Sequence, residues 1–383
     1  MKFLFIVQGE GRGHMTQAIA LASMLEEKGQ QIVSVCIGKS KRRKIPNFVY
    51  ESLSAPVVTF ESPNFISDKA NKKILLRRTL VYNLSKAGKF LKSLKLLNEI
   101  VLSQQPDVII NFYDLLAGVY NFCYRPKAAF WVIGHQYLTA HPKFRFAPSK
   151  NFEKELFLLN NKLTALNADR ILALSFNKMA SGDPKFVIIP PLLRNSLFEL
   201  SPSQEDFILC YMVNPGYAEE LIRFGKTNPQ IKIEAFWDNP EALKLENPLP
   251  NITFHQIDDH LFLTKMAACR GLLSTAGFES ICEAMYLGKP VMMVPVAGQY
   301  EQACNAIDGE AAGAGIAHHE FDFALFDNYI TSHDQSKNQM SDWIKSLDKL
   351  LNQLINHPLS SKPHKPKLEN PFLKERLTKT QKE

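Results

Sequence analysis

The fold is decided by residues 1–38, which read MKFLFIVQGEGRGHMTQAIALASMLEEKGQQIVSVCIG. An apolar run at 3–7 has the length of a buried strand, and a helical pattern over 16–28 ends at Gly29. A second apolar run fills 31–37. A strand, a glycine-rich turn, a helix and a further strand in this order are typical of a parallel βαβ unit.

Strand-length apolar runs keep alternating with helical patterns along the rest of the chain. In the first half, a helical stretch at 72–104 precedes predicted strands at 107–111, 129–133 and 170–174. After Pro190 and Pro191 the pattern restarts, with predicted strands at 207–211, 232–236, 252–254, 271–274 and 290–294 and helices at 218–224, 261–268, 279–287 and 340–355. We therefore predict two doubly wound α/β domains, 1–200 and 201–356, and a disordered tail, 357–383, rich in Lys and Pro.

Composition excludes several classes of protein. The chain has 383 residues, is 45% hydrophobic and carries 45 Lys+Arg against 38 Asp+Glu, which excludes a wholly disordered or collagen-like protein. No apolar run reaches the roughly 18 residues of a membrane-spanning helix. The six cysteines form no C-x-x-C pair, so neither a disulfide framework nor a zinc knuckle is indicated. The apolar start lacks a cleavage region, and we expect a cytoplasmic protein.

Positive charge is concentrated in one segment, which begins at Lys69 and ends at Lys95. It holds nine basic residues and no acidic one, interleaved with leucines and other apolar residues. A basic amphipathic stretch of this kind favours an anionic membrane surface, which predicts a peripheral membrane protein. A solvated helix face is the structural alternative. Nucleic acid is disfavoured as a partner because no recognition motif accompanies the charge.

A glycine-rich segment, GEGRGH at 9–14, lies where the first strand ends and a helix begins. Glycines there let a ligand approach the backbone, and a helix N-terminus attracts anions. NAD binding is disfavoured, because His14 replaces the third glycine of the dinucleotide fingerprint and no acidic residue follows the second strand. His14 could act as a general base with Asp114, just beyond the strand at 107–111, holding its tautomer. In the structural alternative, His14 caps one helix and Asp114 begins another.

A second motif is more specific, and reads STAGFESICEAMYLGKPVMMVP at 274–295 with GQYEQACNA at 298–306. A strand ends there in small residues and a helix starts near Glu279, which favours a diphosphate at the helix N-terminus. Glu283, one turn further on, could accept hydrogen bonds from ribose hydroxyls. Glu301 and Gln302 could reach hydroxyls of a sugar. Glu279 itself is expected to face solvent or to cap the helix start.

The second motif resembles the nucleotide-sugar signature of GT-B glycosyltransferases. The residues that match this signature are Gly277, Ser280, Glu283, Ala284, Gly288, Pro290, Glu301, Gln302, Asn305 and Ala306. Within that class the sequence resembles the UDP-glycosyltransferases and the bacterial N-acetylglucosaminyltransferase that forms lipid II, whose G-G-H loop is similar to the segment 11–14. The resemblance implies the GT-B fold, in which two Rossmann-like domains face each other across a cleft.

The resemblance also implies a role for each matching residue. His14 would be the general base with Asp114 as its partner, and the acceptor and phosphate loop would be Gly11, Arg12 and Gly13. The predicted donor contacts are Ala276, Gly277, Ser280, Glu283, Glu301, Gln302 and, beside the base, Ile257. His135 and Gln136 follow a strand and are candidates for the acceptor pocket, although His135 could equally be structural.

The implied reaction is an inverting, metal-independent hexosyl transfer from a UDP-sugar to an acceptor hydroxyl. The sequence has no D-x-D motif, and no cofactor is expected, the UDP-sugar being a co-substrate. The basic segment suggests an acceptor that is lipid-linked or membrane-held. Two alternatives stay open: a nucleotide-sugar 2-epimerase of the same fold, and a non-catalytic protein that binds nucleotide sugars at a membrane.

Overall fold

The computed structural model describes residues 1–39, 45–63, 82–148, 151–212, 218–237, 243–332 and 340–357. Within them the chain forms two seven-stranded sheets, each flanked by helices. We call the sheets and their helices the first and the second lobe. The predicted α/β class is thus observed in both halves of the chain, whereas the tail beyond residue 357 and residues 69–81 of the basic segment lie outside the described residues.

The first sheet is entirely parallel, in the order β3-β2-β1-β4-β5-β6-β7. Its strands are β1 (Lys2–Gln8), β2 (Gln31–Lys39), β3 (Val57–Glu61), β4 (Val108–Phe112), β5 (Ala129–Gly134), β6 (Arg170–Leu174) and β7 (Phe186–Ile189). Its helices are α1 (Arg12–Glu27), α2 (Asn47–Ser52), α3 (Ala87–Gln104), α4 (Leu115–Tyr124), a 3₁₀ turn (His135–Ala140), α5 (Asn151–Thr164) and, after the sheet, the short α6 (Asn195–Phe198).

The second sheet has the order β10-β11-β9-β8-β12-β13-β14 and is parallel except for β10. Its strands are β8 (Ile208–Met212), β9 (Ile233–Trp237), β10 (Leu245–Leu249), β11 (Ile252–Gln256), β12 (Gly271–Thr275), β13 (Val291–Val294) and β14 (Gly315–Ala317). Its helices are α7 (Ala218–Thr227), α8 (Asp259–Ala268), α9 (Phe278–Tyr286), α10 (Tyr300–Ala311), α11 (Phe323–Ser332) and α12 (Met340–Asn356).

Strand order explains where a ligand site can form in each lobe. In the first sheet the chain winds outward from β1 through β2 and β3, then returns to place β4 on the other side of β1. In the second sheet β9 and β12 lie on opposite sides of β8. Such reversals leave a crevice at the carboxyl ends of the central strands. The segments that follow β1, β4 and β12 therefore lie where doubly wound proteins bind ligands.

The central strands are apolar because both of their faces are covered by helices. Phe3, Leu4, Phe5, Ile6 and Val7 are all completely buried in β1. A parallel strand that is buried on both faces reads as a continuous apolar run rather than an alternating one. Burying each large apolar side chain in this way contributes about 1.5–3 kcal/mol to the free energy of folding. The continuous apolar runs that result can be recognised in the sequence.

The last helix, α12, packs against both lobes. The indole nitrogen of Trp343 donates a hydrogen bond to the backbone oxygen of Ser175, 3.0 Å away in the first lobe. Asp348 pairs with Lys28 at the end of α1, and residues of α12 also contact α9 in the second lobe. The chain thus returns to the first lobe after completing the second.

Candidate active site

The segment after β1 belongs mainly to a helix rather than to a loop. We predicted the first helix from residue 16, but α1 begins at Arg12 with Gly11 as its N-cap. Arg12, Gly13 and His14 therefore occupy its first turn. Gly9 makes the tight approach before it: a Cβ there would lie 2.7 Å from the backbone oxygen of Gly38 in β2.

His14 is held by two glutamines and one aromatic ring. Its Nδ1 lies 3.4 Å from Oε1 of Gln17, and its Nε2 lies 3.5 Å from Nε2 of Gln136. The ring of Tyr113 stacks on the imidazole at a centroid distance of 5.6 Å. Burial lowers the pKa of His14 from 6.5 to about 4, so the imidazole is neutral at neutral pH.

Asp114 does not hold His14. Its carboxylate accepts hydrogen bonds from Ser62 Oγ at 2.7 Å and from the backbone nitrogen of Ala117 at 3.1 Å, and thereby caps the start of α4. Burial raises its pKa to about 6. The hydrogen bond that we predicted between His14 and Asp114 is not formed, because the capping geometry turns the carboxylate toward its own helix and Ser62.

Tyr113 and Arg194 are two residues of this region that the sequence did not single out. Tyr113 has a φ of 63°, in the left-handed region that non-glycine residues rarely adopt. Its hydroxyl donates to Asn161, which fixes the ring beneath His14. Strained backbone of this kind is concentrated at functional sites. A tyrosine after a strand carries no sequence signal for such a conformation.

The predicted donor residues gather at the N-terminus of α9. Gly277 is its N-cap, and a Cβ there would make only ordinary van der Waals contact, with Ser280 Oγ 3.9 Å away. Ser280 Oγ donates to the backbone oxygen of Gly277 at 3.3 Å, and the oxygen of Ala276 accepts from Asn305 at 3.0 Å. The backbone amide of Gly277 donates to the oxygen of Thr275 at 2.7 Å, so the amides of 278–280 are the ones that this helix N-terminus offers to an anion.

The carboxylate of Glu283, which we predicted to bind ribose, forms an ion pair with the guanidinium of Arg194. Arg194 Nε and Nη2 donate to its two oxygens at 2.7 and 2.8 Å. A carboxylate has about four acceptor positions, so this bidentate pair leaves two for hydroxyl groups. Arg194 also lies 3.8 Å from Asp259, which is 3.5 Å from Arg12. Arg194 follows the Pro-Pro pair between the lobes and pairs with a residue 89 positions away, so no local pattern pointed to it.

Two other predicted donor contacts and one candidate acceptor residue are engaged within the protein. Gln302 Oε1 accepts from the backbone nitrogen of Val296 at 2.8 Å. Ile257 is half-buried between β11 and α8. His135 is buried, with Nδ1 2.8 Å from the oxygen of Leu174 and its ring stacked on Phe278 at 4.1 Å. His135 is therefore a structural histidine and not part of an open acceptor pocket.

The two lobes meet through pairs of glutamine and glutamate side chains. Gln17 Nε2 donates to Glu279 Oε1, and Gln136 Nε2 donates to Glu301 Oε1 at 2.9 Å. Burial raises the pKa of Glu279 to about 8 and that of Glu301 to about 7. Glu279 lies in the first turn of α9 as expected, but it faces the other lobe rather than solvent. Half-buried acids with raised pKa values, beside a half-buried histidine with a lowered one, are characteristic of active sites.

No group of three or more His, Cys, Asp or Glu side chains that could hold a metal ion occurs among the described residues. No helix within those residues is long and apolar enough to cross a membrane.

Two lobes of doubly wound α/β structure that face each other across such a site define the GT-B class of glycosyltransferases, and solved structures of that class superpose on the chain. A spinosyn rhamnosyltransferase, SpnG, complexed with thymidine diphosphate matches with a TM-score of 0.57 at 15% identity, covering 93% of this chain and 100% of its own. MurG of Acinetobacter baumannii matches with a TM-score of 0.54 at 12% identity, covering 93% and 99%. The predicted GT-B fold is thereby confirmed.

The chain belongs to glycosyl transferase family 1, whose family profile matches residues 1–332. It is 24% identical over 341 residues to the UDP-N-acetylglucosamine--N-acetylmuramyl-(pentapeptide) pyrophosphoryl-undecaprenol N-acetylglucosamine transferase of Alkaliphilus metalliredigens (strain QYMF), covering 82% of this chain and 84% of that protein. The protein is a glycosyltransferase, as the sequence predicted.

Proposed function

We propose that this glycosyltransferase moves a hexose from a UDP-sugar to an acceptor hydroxyl with inversion at the anomeric carbon. The observation that carries the proposal is the contact between two helix N-termini across the lobes. The first turn of α1 bears His14, and a Cβ on Gly13 in the same turn would lie 3.2 Å from Cγ of Glu279 in the first turn of α9. A neutral imidazole thus lies beside a helix terminus that can hold a diphosphate.

The chemistry follows from this placement. The neutral imidazole of His14 takes the proton of the acceptor hydroxyl while the oxygen attacks the anomeric carbon, and the bond to the nucleoside diphosphate breaks on the opposite face. Negative charge grows on the departing diphosphate next to the amides of 278–280. Donors fixed before the reaction stabilise such charge by several kcal/mol. Two acceptor positions of Glu283 remain for the ribose, and the charge of a metal ion is not required.

The proposal is tested by binding and turnover on the full chain. UDP and UDP-N-acetylglucosamine should raise the melting temperature in a concentration-dependent manner, with thymidine diphosphate as the comparison for the base. His14→Ala should lower turnover by about 10²- to 10⁴-fold while UDP binding is retained. EDTA should leave turnover unchanged. Undiminished turnover in His14→Ala would remove the assigned base, and conversion of UDP-N-acetylglucosamine without acceptor would indicate an epimerase.

The same proposal includes a membrane-held acceptor, on the evidence of α3. Leu84, Leu91 and Leu102 are 67, 61 and 66% exposed. Leu91 and Leu102 share α3 with exposed Lys89, Lys92 and Lys95 and with one exposed acid, Glu99. Apolar side chains among lysines suit the headgroup region of an anionic bilayer.

Vesicle sedimentation tests the membrane contact. The protein should bind vesicles that contain anionic phospholipid more tightly than neutral ones. Replacing the three exposed lysines of α3 with glutamine should weaken this binding by roughly 100-fold, at about 1 kcal/mol per lysine. Lys345→Gln, at an exposed lysine of α12, is the control. Equal binding of the triple variant and the wild type would disprove this part of the proposal.

A further inference from the structure

The surroundings of His14 determine which of its two nitrogens carries the proton. Gln17 faces Nδ1 with its carbonyl oxygen, and that orientation follows from its other contact, in which the amide NH₂ meets the Glu279 carboxyl. Once Glu279 is ionised, its carboxylate only accepts hydrogen bonds, and an amide NH₂ only donates them. The carbonyl oxygen of Gln17 is left to face the imidazole, and it requires a proton on Nδ1.

Gln136 imposes the same choice from the other side of the ring. Its NH₂ lies 2.9 Å from Glu301 Oε1 and 3.5 Å from Nε2 of His14. Because this group carries two hydrogens and accepts none, Nε2 must be the acceptor. The two glutamines come from different elements of the first lobe, and each is oriented by a different glutamate of the second lobe.

From these contacts we infer that Gln17 is the positioning residue for His14, and that Gln17 and Gln136 together fix the tautomer with the proton on Nδ1 and the lone pair on Nε2. The inference rests on the proposed function only in giving that lone pair a catalytic use. Asp114, which has no hydrogen bond to His14 among the described contacts, takes no part. Since both glutamines are held by the second lobe, the tautomer is set where the lobes are in contact.

A consequence for the reaction follows. An acceptor hydroxyl approaching Nε2 replaces the long contact to Gln136, whereas the Nδ1–H of His14 keeps donating to Gln17 Oε1. A neutral partner orients the ring without the charge that would stabilise imidazolium. This agrees with a base that stays unprotonated to low pH, and it separates Gln17 from the carboxylate partners of other catalytic histidines.

The experiment is nitrogen NMR on the full chain labelled with ¹⁵N-histidine, without substrate, at pH 9. At this pH Glu279 and Glu301 are ionised, because their pKa values are about 8 and about 7, so each carboxylate can only accept hydrogen bonds. The His14 signals are assigned by their absence from His14→Ala. We expect a protonated Nδ1 and an unprotonated Nε2. A proton on Nε2 in the wild type would overturn the inference.

Variants test which residue is responsible. Gln17→Met should move the two nitrogen signals toward each other, as expected for mixed tautomers, whereas Asp114→Asn should leave them in place. If Asp114→Asn moved the signals and Gln17→Met did not, Asp114 would be the residue that fixes the tautomer. An unchanged tautomer in Gln17→Met would by itself show that Gln17 does not fix it. With acceptor and donor present, Gln17→Met should lower kcat roughly 10- to 100-fold with little change in donor KM. That loss is smaller than removal of the whole base, because some molecules keep the active tautomer.

A swapped pair covers the case in which Gln17→Met does not fold. In Gln17→Glu combined with Glu279→Gln, the carboxylate faces Nδ1 and the amide takes the place of Glu279. This variant should keep the tautomer and raise the pKa of His14 from about 4 toward its ordinary 6.5, because the adjacent negative charge favours imidazolium. An unmoved pKa would overturn the inference. If the tautomer is as inferred but His14→Ala still turns over normally, the proposed function fails and the tautomer assignment stands.

Discussion

Breaking the ion pair between Arg194 and Glu283 should cost stability unequally from its two ends. The side chain of Glu283 is 2% exposed and that of Arg194 18%. Removing one partner of a buried pair costs about 3–5 kcal/mol, because the other charge is left without compensation. Arg194→Leu leaves a carboxylate that is almost completely buried, so its loss should approach 5 kcal/mol. Glu283→Leu leaves an arginine that still lies 3.8 Å from Asp259, so its loss should be nearer 3 kcal/mol.

The assay is thermal unfolding of the two single variants and of the double variant. At about 2 °C per kcal/mol, the melting temperature should fall by about 10 °C for Arg194→Leu and about 6 °C for Glu283→Leu. The double variant should recover part of this, with a coupling energy of about 0.5–3 kcal/mol. Arg223→Leu, an exposed arginine of α7, is the control and should stay within about 0.5 kcal/mol of the wild type.

Two results would refute the reasoning. If both single variants unfold within about 0.5 kcal/mol of the wild type, the contact contributes no more than a surface ion pair. If their effects simply add in the double variant, the two side chains are not coupled in solution. A larger loss of stability for Glu283→Leu than for Arg194→Leu would contradict only the argument that the more deeply buried charge costs more; the ion pair itself would still be supported.

Three further predictions concern pH and packing. Burial lowers the pKa of His14 to about 4, so turnover that needs neutral His14 should persist below pH 6 and fall only toward pH 4; an acid limb near 6.5 would contradict this. Burial raises the pKa of Glu279 from 4.5 to about 8, so the folded state keeps a proton that the unfolded chain loses, and stability should fall as pH rises from 5 to 8. In Glu279→Gln, calorimetric melts should lack up to about 4 kcal/mol of that fall, and identical slopes would argue against the raised pKa. Gly38→Ala should destabilise the protein by about 1–3 kcal/mol in urea unfolding, because its Cβ would lie 2.2 Å from the Asp114 carboxylate. Gly88→Ala, with open space around it in α3, should instead stabilise by about 0.5–1 kcal/mol; equal effects would refute the clash.

The sequence predicted the strands of both lobes because parallel strands covered on both faces are apolar throughout. β6 has the predicted bounds, and β1, β5 and β12 differ from them by one or two residues. Four edge strands were missed, namely β3, β7, β10 and β14. β10 is largely exposed and contains a proline, and β14 has only three residues, so neither shows an apolar run.

The sequence predicted where the candidate site residues lie in the fold better than it predicted which side chains they contact. His14 and Gly277 were placed at strand ends, where the chain order alone puts ligand sites. The partners of His14 were not found, because Gln136 and the Glu279 that orients Gln17 are separated from it by long stretches of chain. Asp114 was given the wrong partner, since an aspartate at the start of a helix bonds to its own backbone whenever that geometry is available. Such competition is decided by packing and not by spacing.

The return of α12 to the first lobe has a consequence for motion. The polypeptide passes between the lobes between Ile189 and Ile208, and α12, after the second sheet, contacts both lobes. These two connections permit rotation of the lobes about one axis and resist twisting or sliding in other directions. Any separation of the lobes should therefore follow a single swing, in which the helix termini bearing His14 and Gly277 part and meet again along one path.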